Sequence, residues 1–187
     1  MNGCHNLHII SGGPGSGKSS LLASLVAQGW KAMPEAGRAI IRDQVLIGGS
    51  ALPWADRLAF AELMLGWELR SYHEAISHNC PVVFDRGVPD VIGYLRVCGL
   101  EAPRHMLNAA GQFRYNKRVF LAPPWKDIFH ADDERKQSWT EAVATFDCMV
   151  ATYEELGYAI VLLPLAPVAE RAAFVGAAIE HDHSGKA

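Results

Sequence analysis

Apolar runs and helical patterns alternate along this chain of 187 residues. Five short apolar runs predict buried strands, at 7–10, 30–33, 81–85, 117–121 and 159–163. Between and after them, apolar residues recur every three or four positions and predict helices, at 18–28, 34–48, 53–77, 88–97, 103–112, 138–156 and 168–180. Strands that alternate with helices predict an α/β domain with a parallel sheet and right-handed crossovers.

The longest predicted helix, at 53–77, carries an apolar stripe that we expect to face the core: Leu58, Ala61, Leu65, Leu69, Tyr72 and Ile76. Its charged residues, such as Arg57, Glu62 and Arg70, fit a solvated face. Four tryptophans occupy scattered positions where packing is a more ordinary role than stacking on a base: Trp54, Trp67, Trp125 and Trp139.

Composition restricts the class of protein. Half of the residues are apolar and 20% are charged, so we expect one globular domain over 1–187 with a polar tail at 182–187. The net charge of −3 argues against a broad basic surface for nucleic acid. The four cysteines form no C-x-x-C pair, and no apolar run could span a bilayer. We therefore expect a cytoplasmic protein with reduced thiols and without a membrane partner.

Residues 12–19 have the spacing of a phosphate-binding P-loop, G-x-x-x-x-G-K-[ST]. Glycines let backbone N–H groups converge on phosphate oxygens, and the N-terminus of the next helix adds a positive dipole end. Lys18 would contact the β- and γ-phosphates, and the Ser19 hydroxyl would ligate Mg²⁺. The pattern therefore predicts a nucleoside triphosphate site formed by Gly13, Pro14, Gly15, Ser16, Gly17, Lys18, Ser19 and Ser20.

Asp85 and Arg86 follow the third predicted strand, at the sheet edge where open α/β folds bind their ligands. An acid at this place in a P-loop protein holds Mg²⁺ together with the P-loop hydroxyl, either directly or through water. The alternative for Asp85 is an ordinary N-cap of the next helix. The planar guanidinium of Arg86 suits a transferred phosphoryl group, and its alternative is a salt bridge.

Glu35 ends the second predicted strand, so we expect it at the same edge of the sheet. A carboxylate there could accept the proton of an acceptor hydroxyl. Arg38 and Arg42 lie three and seven positions later, on one helix face, where they could neutralise an anionic substrate. A simple Glu35–Arg38 pair at the start of the helix is an equally good interpretation.

The segment 124–138 is densely charged and lies between the fourth and fifth predicted strands. It could be a lid that closes over the triphosphate and brings Arg135 to the charge of the transition state. The alternative is a solvated acidic loop.

Several blocks of the chain together resemble a small P-loop family usually labelled an AAA-type ATPase domain: 12–19, 34–38, 53–56, 83–90, 120–125 and 132–135. That family is similar to ribosylnicotinamide kinases and, more remotely, to deoxynucleoside and thymidylate kinases. The Phe-Asp-Arg-Gly and Leu-Ala-Pro-Pro-Trp sequences are its most particular features.

The resemblance implies a three-layer nucleotide-kinase core with sheet order 2-3-1-4-5, in which the strand of Asp85 lies beside the P-loop strand. It implies that the acid matching Glu35 lies near the acceptor hydroxyl and that the pair matching Asp85 and Arg86 lies at the transferred phosphate. It also implies a lid arginine at Arg135 and a loop at 164–167 packed near adenine.

From these observations we expect an ATP- and Mg²⁺-dependent phosphotransferase that acts on a small hydroxyl-bearing compound, with a nucleoside-like compound as one candidate. Two alternatives stay open. One is a regulatory NTPase that switches conformation for a protein partner, and the other is a module that binds nucleotide without turnover. A hexameric motor is not expected, because the chain has no second acidic residue directly after Asp85 and no room for a helical lid domain.

Overall fold

The computed structural model describes residues 6–129 and 138–184, except for the side chains of 182–184. Its five strands are β1 Leu7–Gly12, β2 Lys31–Met33, β3 Val82–Asp85, β4 Arg118–Ala122 and β5 Ala159–Leu162. Its helices are α1 Lys18–Ala27, α2 Ala36–Ile47, α3 Arg57–Ala75, α4 Val88–Val97, α5 Arg104–Gln112, α6 Trp139–Glu155 and α7 Val168–Ser184. A short 3₁₀ turn at Lys126–Ile128 follows β4.

All neighbouring strands are parallel, and the sheet order is β2-β3-β1-β4-β5. The predicted α/β fold and the sheet order implied by the resemblance are therefore confirmed. The register pairs Ile10 of β1 with Asp85 of β3 and with Phe120 of β4. The carboxyl ends of the three central strands consequently meet at one edge, where ligands of open α/β sheets bind.

Two apolar cores lie on opposite faces of the sheet. The larger core packs residues of α2, α3, α4 and α5 against β1, β3 and β4. The smaller core packs α1 and α7 against the other face. All six residues of β1 are buried, because the strand has a neighbour on each side and helices on both faces. This three-layer arrangement fixes the central strands and so the loops that leave them.

The helix predicted at 53–77 is shorter than expected at its start. It begins at Arg57, because the Asp56 side chain accepts a hydrogen bond of 2.9 Å from the Ala59 N–H and caps it. The expected buried stripe is wrong at its ends, since Leu58 is 44% and Ile76 is 49% exposed. Of the expected stripe, Ala61 and Leu65 in the first half of the helix are buried.

The other predicted helices and strands are present, with ends that differ by a few residues. The last helix extends to Ser184, beyond its predicted end at Glu180. Among the described residues, none of the helices has both the length and the apolar character needed to cross a membrane.

Candidate active site

The P-loop connects β1 to α1 at the carboxyl edge of the sheet. Gly15 and Gly17 adopt left-handed backbone conformations, with φ of 70° and 75°. A Cβ atom on Gly15 would lie 2.7 Å from the Phe129 ring, and one on Gly17 would lie 2.8 Å from a guanidinium nitrogen of Arg171. Both the conformation and the lack of space therefore require glycine at these two positions.

Lys18, in the first turn of α1, is buried and turns back into the loop. Its Nζ donates hydrogen bonds of 2.7 Å to the Gly13 carbonyl, 3.1 Å to the Gly12 carbonyl and 3.3 Å to the Ser16 hydroxyl. The charge of the ammonium also reaches Asp85, where it favours the carboxylate form. The lysine is therefore held inside the cradle, with its charge next to the predicted metal ligand.

Asp85 ends β3 beside the P-loop strand, as expected. Its Oδ1 is buried and has no hydrogen-bond partner among the described residues. Burial raises the pKa of Asp85, while the nearby charges of Lys18 and Arg86 oppose this rise. The N-cap residue of α4 is Gly87, so the capping role weighed for Asp85 does not occur in this structure.

Arg86 is buried beside Asp85 and has a positive φ of 76°, which is unusual for a residue with a side chain. Its Nε lies 3.4 Å from Glu35 Oε1, and its Nη1 lies 3.2 Å from Asp90 Oδ1. Burial lowers the pKa of Arg86, but the carboxylates of Glu35 and Asp90 outweigh it, and the pKa lies above its ordinary value. Arg86 is therefore a cation held in place by two carboxylates. The salt bridge that we considered as its alternative role is present.

Glu35 occupies the N-cap position of α2 and is half-buried. Besides its bond to Arg86, its Oε2 lies 3.8 Å from Arg38 Nε, so the local pair weighed as an alternative is also present. Glu35 thus links an inner and an outer arginine. Arg38 and Arg42 are both exposed on α2.

Asp90, in the first turn of α4, joins this cluster although the sequence analysis passed over it. It accepts hydrogen bonds from the Ser11 and Tyr153 hydroxyls and one of 2.9 Å from the Gly87 N–H. Together with Arg86, these donors come from β1, the β3–α4 turn and α6. An acid three positions after the N-cap of α4 was a local signal of a capping role, but nothing in the sequence indicated its partners from β1 and α6.

A cavity of about 450 Å³ opens beside the P-loop and is called the side cavity below. Helices α2, α3, α4 and α6 form its walls, and Pro14 borders it on the P-loop side. Glu35, Arg86 and Asp90 line it, whereas Arg38 and Arg42 do not. The cavity therefore reaches from the carboxyl edge of the sheet to the helices of the larger core, next to the predicted phosphate site.

Glu68 also lines the side cavity and was missed by the sequence analysis. It is 3% exposed, and no hydrogen bond joins it to another described residue. Burial, followed by the charge of Asp90, raises the pKa of Glu68 well above its ordinary value. A signal existed, because Glu68 lies between Leu65 and Tyr72 on the arc of the helix that the apolar stripe assigns to the core.

Arg171, near the start of α7, is a second cation at the P-loop. It is 2% exposed, and its Nη2 donates a hydrogen bond of 3.0 Å to the Ser16 carbonyl. Its Nε has no partner among the described residues, and burial lowers the pKa of Arg171. No local pattern in the sequence distinguishes this arginine, because its contact spans 155 positions of the chain.

The predicted lid arginine, Arg135, lies outside the described residues. The described residues on either side of that segment meet above the P-loop. Phe129 and Trp139 pack edge to face with ring centroids 5.5 Å apart, and Phe129 lies against Gly15. The described part of the predicted segment is thus anchored on the phosphate cradle.

The residues at this edge fit a nucleoside triphosphate with Mg²⁺. The glycine loop offers backbone donors, and Asp85 Oδ1 is a buried oxygen that lacks a donor among the described residues. In the described residues, no group of three or more His, Cys, Asp or Glu could hold a metal alone. A site with Asp85, the Ser19 hydroxyl and phosphate oxygens is the kind that Mg²⁺ takes.

Comparison with known proteins agrees with this architecture. A family model described as an AAA domain matches residues 7–171, which contain all five strands and the P-loop. No curated protein matches the chain in sequence.

Three solved kinases are similar in fold, each at less than 15% identity. Thymidylate kinase from Candida albicans has a TM-score of 0.68 at 13% identity, over 98% of this chain and 94% of that one. Shikimate kinase from Acinetobacter baumannii, in complex with shikimate, has a TM-score of 0.56 at 12% identity, over 95% and 94%. Deoxyadenosine kinase from M. mycoides, with bound dATP, has a TM-score of 0.53 at 14% identity, over 94% and 100%.

Proposed function

The chain belongs to the P-loop family described as an AAA domain, and from this we propose that it is an ATP- and Mg²⁺-dependent phosphotransferase acting on a small hydroxyl-bearing compound. The observation that carries the proposal is the side cavity of about 450 Å³, which borders the P-loop at Pro14 and is lined by Glu35 and Arg86. A protein that only hydrolyses or senses nucleotide needs no second cavity of small-molecule size at the phosphate site.

The P-loop side would bind and orient the donor. The backbone N–H groups of 13–20 and the Lys18 ammonium would hold the phosphates, and Ser19 with Asp85 would hold Mg²⁺. The bound metal would supply neutralisation of the negative charge on the phosphate oxygens. Arg86 lies between the two regions, and its guanidinium would stabilise charge on the group in transfer. For Arg135, the same role of stabilising charge on the transferred group stays a prediction from the sequence.

On the acceptor side, Glu35 would orient the hydroxyl and receive its proton. Glu35 lines the side cavity, and its carboxylate forms an ion pair with Arg86 at 3.4 Å. Holding the two reactants in neighbouring, preformed pockets is the principal contribution that a kinase of this kind makes.

The alternative function is a nucleotide-dependent switch with a protein partner. It is favoured by an exposed apolar end of α2, where Val45, Leu46 and Ile47 are 59%, 84% and 71% exposed. The other end of this helix carries Glu35 at the site, so a change there could alter the presentation of the apolar end.

The proposed function is tested by incubating the purified chain with ATP, Mg²⁺ and a panel of nucleosides, including ribosylnicotinamide, and measuring phosphorylated products by mass. We expect one or more acceptors to gain a phosphoryl group, with ADP formed in equal amount. Release of ADP that no acceptor alters, but that a protein partner stimulates, would favour the switch instead. Full activity of Glu35→Gln with a confirmed acceptor would refute its role as base.

A further inference from the structure

The charged groups of the side cavity are unequal in number. Among the described residues that line it, four are acids, namely Glu35, Glu68, Asp90 and Glu141, and two are arginines, namely Arg57 and Arg86. Hydrogen bonds from Ser138 lower the pKa of Glu141 and keep it ionised. The described lining is therefore richer in acids than in bases.

Both arginines of the lining are already partly engaged by groups of the protein itself. Arg86 already bonds Glu35 and Asp90, at 3.4 Å and 3.2 Å. Arg57 is exposed, and its Nε donates to the Pro53 carbonyl at 3.2 Å. A negatively charged substituent placed inside would lose its hydration and lie near more carboxyl groups than cations, while the buried cation of the lining, Arg86, is already shared by Glu35 and Asp90.

Glu68 is a buried acid of this lining. It comes from the middle of α3, is 3% exposed, and has the charges of Asp90, Arg86, Asp85 and Glu35 nearby. Its carboxyl group makes no hydrogen bond with another described residue and belongs to the cavity wall. A bound N–H group or cation would satisfy it and favour its ionised form, whereas a bound anion would oppose that form.

The rest of the wall suits a flat apolar ring. Phe60 and Tyr94 pack edge to face with centroids 5.3 Å apart, and Met64 and Met149 lie with them in the lining. Trp54, which we expected only to pack, is 63% exposed and also borders the cavity. Aromatic rings and thioethers bind flat rings through packing and attract cations through the negative ring face.

We propose that the side cavity takes an acceptor without negative charge, neutral or cationic, and that Glu68 is the residue that imposes this selection. The proposal rests on the phosphotransferase function and sharpens it, because it excludes phosphorylated and carboxylated acceptors. It also replaces the expectation that Arg38 and Arg42 neutralise an anionic substrate, since neither lines the cavity.

The test is calorimetric titration of the full chain in the presence of Mg²⁺ and a non-hydrolysable ATP analogue, which fills the donor site. Two matched pairs of probes differ by one kind of charge. Thymidine is compared with thymidine 5′-monophosphate, and adenosine is compared with 1-methyladenosine, whose base is cationic at neutral pH. We expect thymidine to bind at least about tenfold more tightly than its monophosphate, the equivalent of one well-placed charge. We expect 1-methyladenosine to bind at least as tightly as adenosine.

Variants of Glu68 assign the selection to that residue. Glu68→Gln should reduce the ratio by which thymidine binds more tightly than its monophosphate, and it should weaken the binding of 1-methyladenosine. Glu68→Lys should make the monophosphate bind more tightly than thymidine. If the lysine variant does not fold, the glutamine variant alone decides, since it keeps the shape of the side chain. Glu62→Gln is the matched control, because Glu62 is an exposed acid on the same helix and does not line the cavity.

The proposal is overturned if the monophosphate binds as tightly as thymidine, if neither uncharged nucleoside binds, or if Glu68→Gln changes neither ratio. Mass measurement of the same probes with ATP separates this result from the proposed function. Selective binding without phosphorylated product would refute the proposed phosphotransferase function and leave the charge selection in place. Equal phosphorylation of thymidine and its monophosphate would keep the phosphotransferase and refute the selection.

Discussion

The P-loop, residues 12–19, occupies consecutive positions of the chain, whereas the side cavity next to it is lined by four helices between residues 36 and 149. The two regions differ in charge as well as in construction. Lys18 and Arg171 place buried cations at the P-loop, where both donate to backbone carbonyls. The charged residues that line the side cavity are mainly acids, with Glu35, Glu68, Asp90 and Glu141 against two arginines.

This difference indicates how one sheet edge can distinguish two ligands. A site with backbone donors and cations binds a polyanion such as a triphosphate. A site of buried acids and aromatic rings disfavours a second anion. Arg86 stands between them and is already engaged with Glu35 and Asp90, so its charge is shared by both regions.

Removing the lysine should have the largest effect. We expect Lys18→Ala to lower turnover by on the order of 10²–10³-fold, because it deletes a charged donor aimed at the phosphates. Steady-state ADP formation measures this. Lys31→Ala is the control, since Lys31 is exposed on β2. Turnover near that of the unaltered chain would mean that the P-loop is not the donor site.

The hydrogen-bond network around Asp90, which lies between the two regions, should have the next largest effect. Here the effect is on the stability of the fold. Asp90→Asn replaces one of the oxygens that accept from Ser11, Tyr153, Gly87 and Arg86. We expect the free energy of unfolding to fall by about 3 kcal/mol, because breaking a buried ion pair leaves an uncompensated charge. Urea denaturation measures it, with the exposed Asp147→Asn as control. A loss below about 1 kcal/mol would show that Arg86 and the hydroxyls find other partners.

The buried arginine of the P-loop should have a smaller effect that is confined to the phosphates. Arg171→Met removes the bond to the Ser16 carbonyl and one positive charge. We expect ATP affinity to fall by about tenfold, the equivalent of one charged hydrogen bond, with adenosine affinity unchanged. Arg104→Met, an exposed position on α5, is the control in the same calorimetric titration. Equal weakening of ATP and adenosine would indicate a general packing role.

The smallest effect concerns the pH dependence of folding. Because the pKa of Glu68 is raised in the folded state, the folded chain binds more protons there than the unfolded chain. Stability should therefore decrease as pH rises from the unfolded pKa through the folded one. The decrease is about 1.4 kcal/mol for each pH unit by which the folded pKa exceeds the unfolded one. Glu68→Gln should remove this decrease, so that the variant gains stability over the unaltered chain as pH rises.

Urea midpoints at a series of pH values measure the difference between the two proteins. Asp147→Asn, an exposed acid with no ion pair to another described residue, should follow the unaltered chain. If Glu68→Gln and the unaltered chain show parallel pH profiles, the pKa of Glu68 is not raised in the folded state. Burial in the wall of the side cavity would then not disfavour the ionised form of this carboxyl group.

The sequence predicted the elements well because their signals are local. Strand runs, helical periodicity and the glycine spacing of the P-loop all depend on neighbouring residues. It also placed Glu35, Asp85 and Arg86 at one edge, because the ends of parallel strands meet there. The stripe of α3 was less reliable, since Leu58 and Ile76 at its ends are exposed.

The core-facing arc of α3 carried a signal for the burial of Glu68. The settings of Asp90 and Arg171 could not be assigned from the sequence. Their environments are made by residues distant in the chain, such as the Tyr153 partner of Asp90 and the Ser16 partner of Arg171. An acid or an arginine in a helix is usually a solvated residue, and only packing decides whether it loses its water.

The sequence by itself therefore determined the P-loop. Glycines with positive φ, a lysine and a helix start specify a phosphate cradle through backbone conformation, which is encoded over a few residues. The tertiary structure decided the side cavity, because α2, α3, α4 and α6 must pack together before a cavity exists and before Glu68 is buried in its wall. The sequence states which residues carry a carboxyl group. The free-energy cost of ionising that group, and the ligand that it can bind, depend on the desolvation that packing imposes.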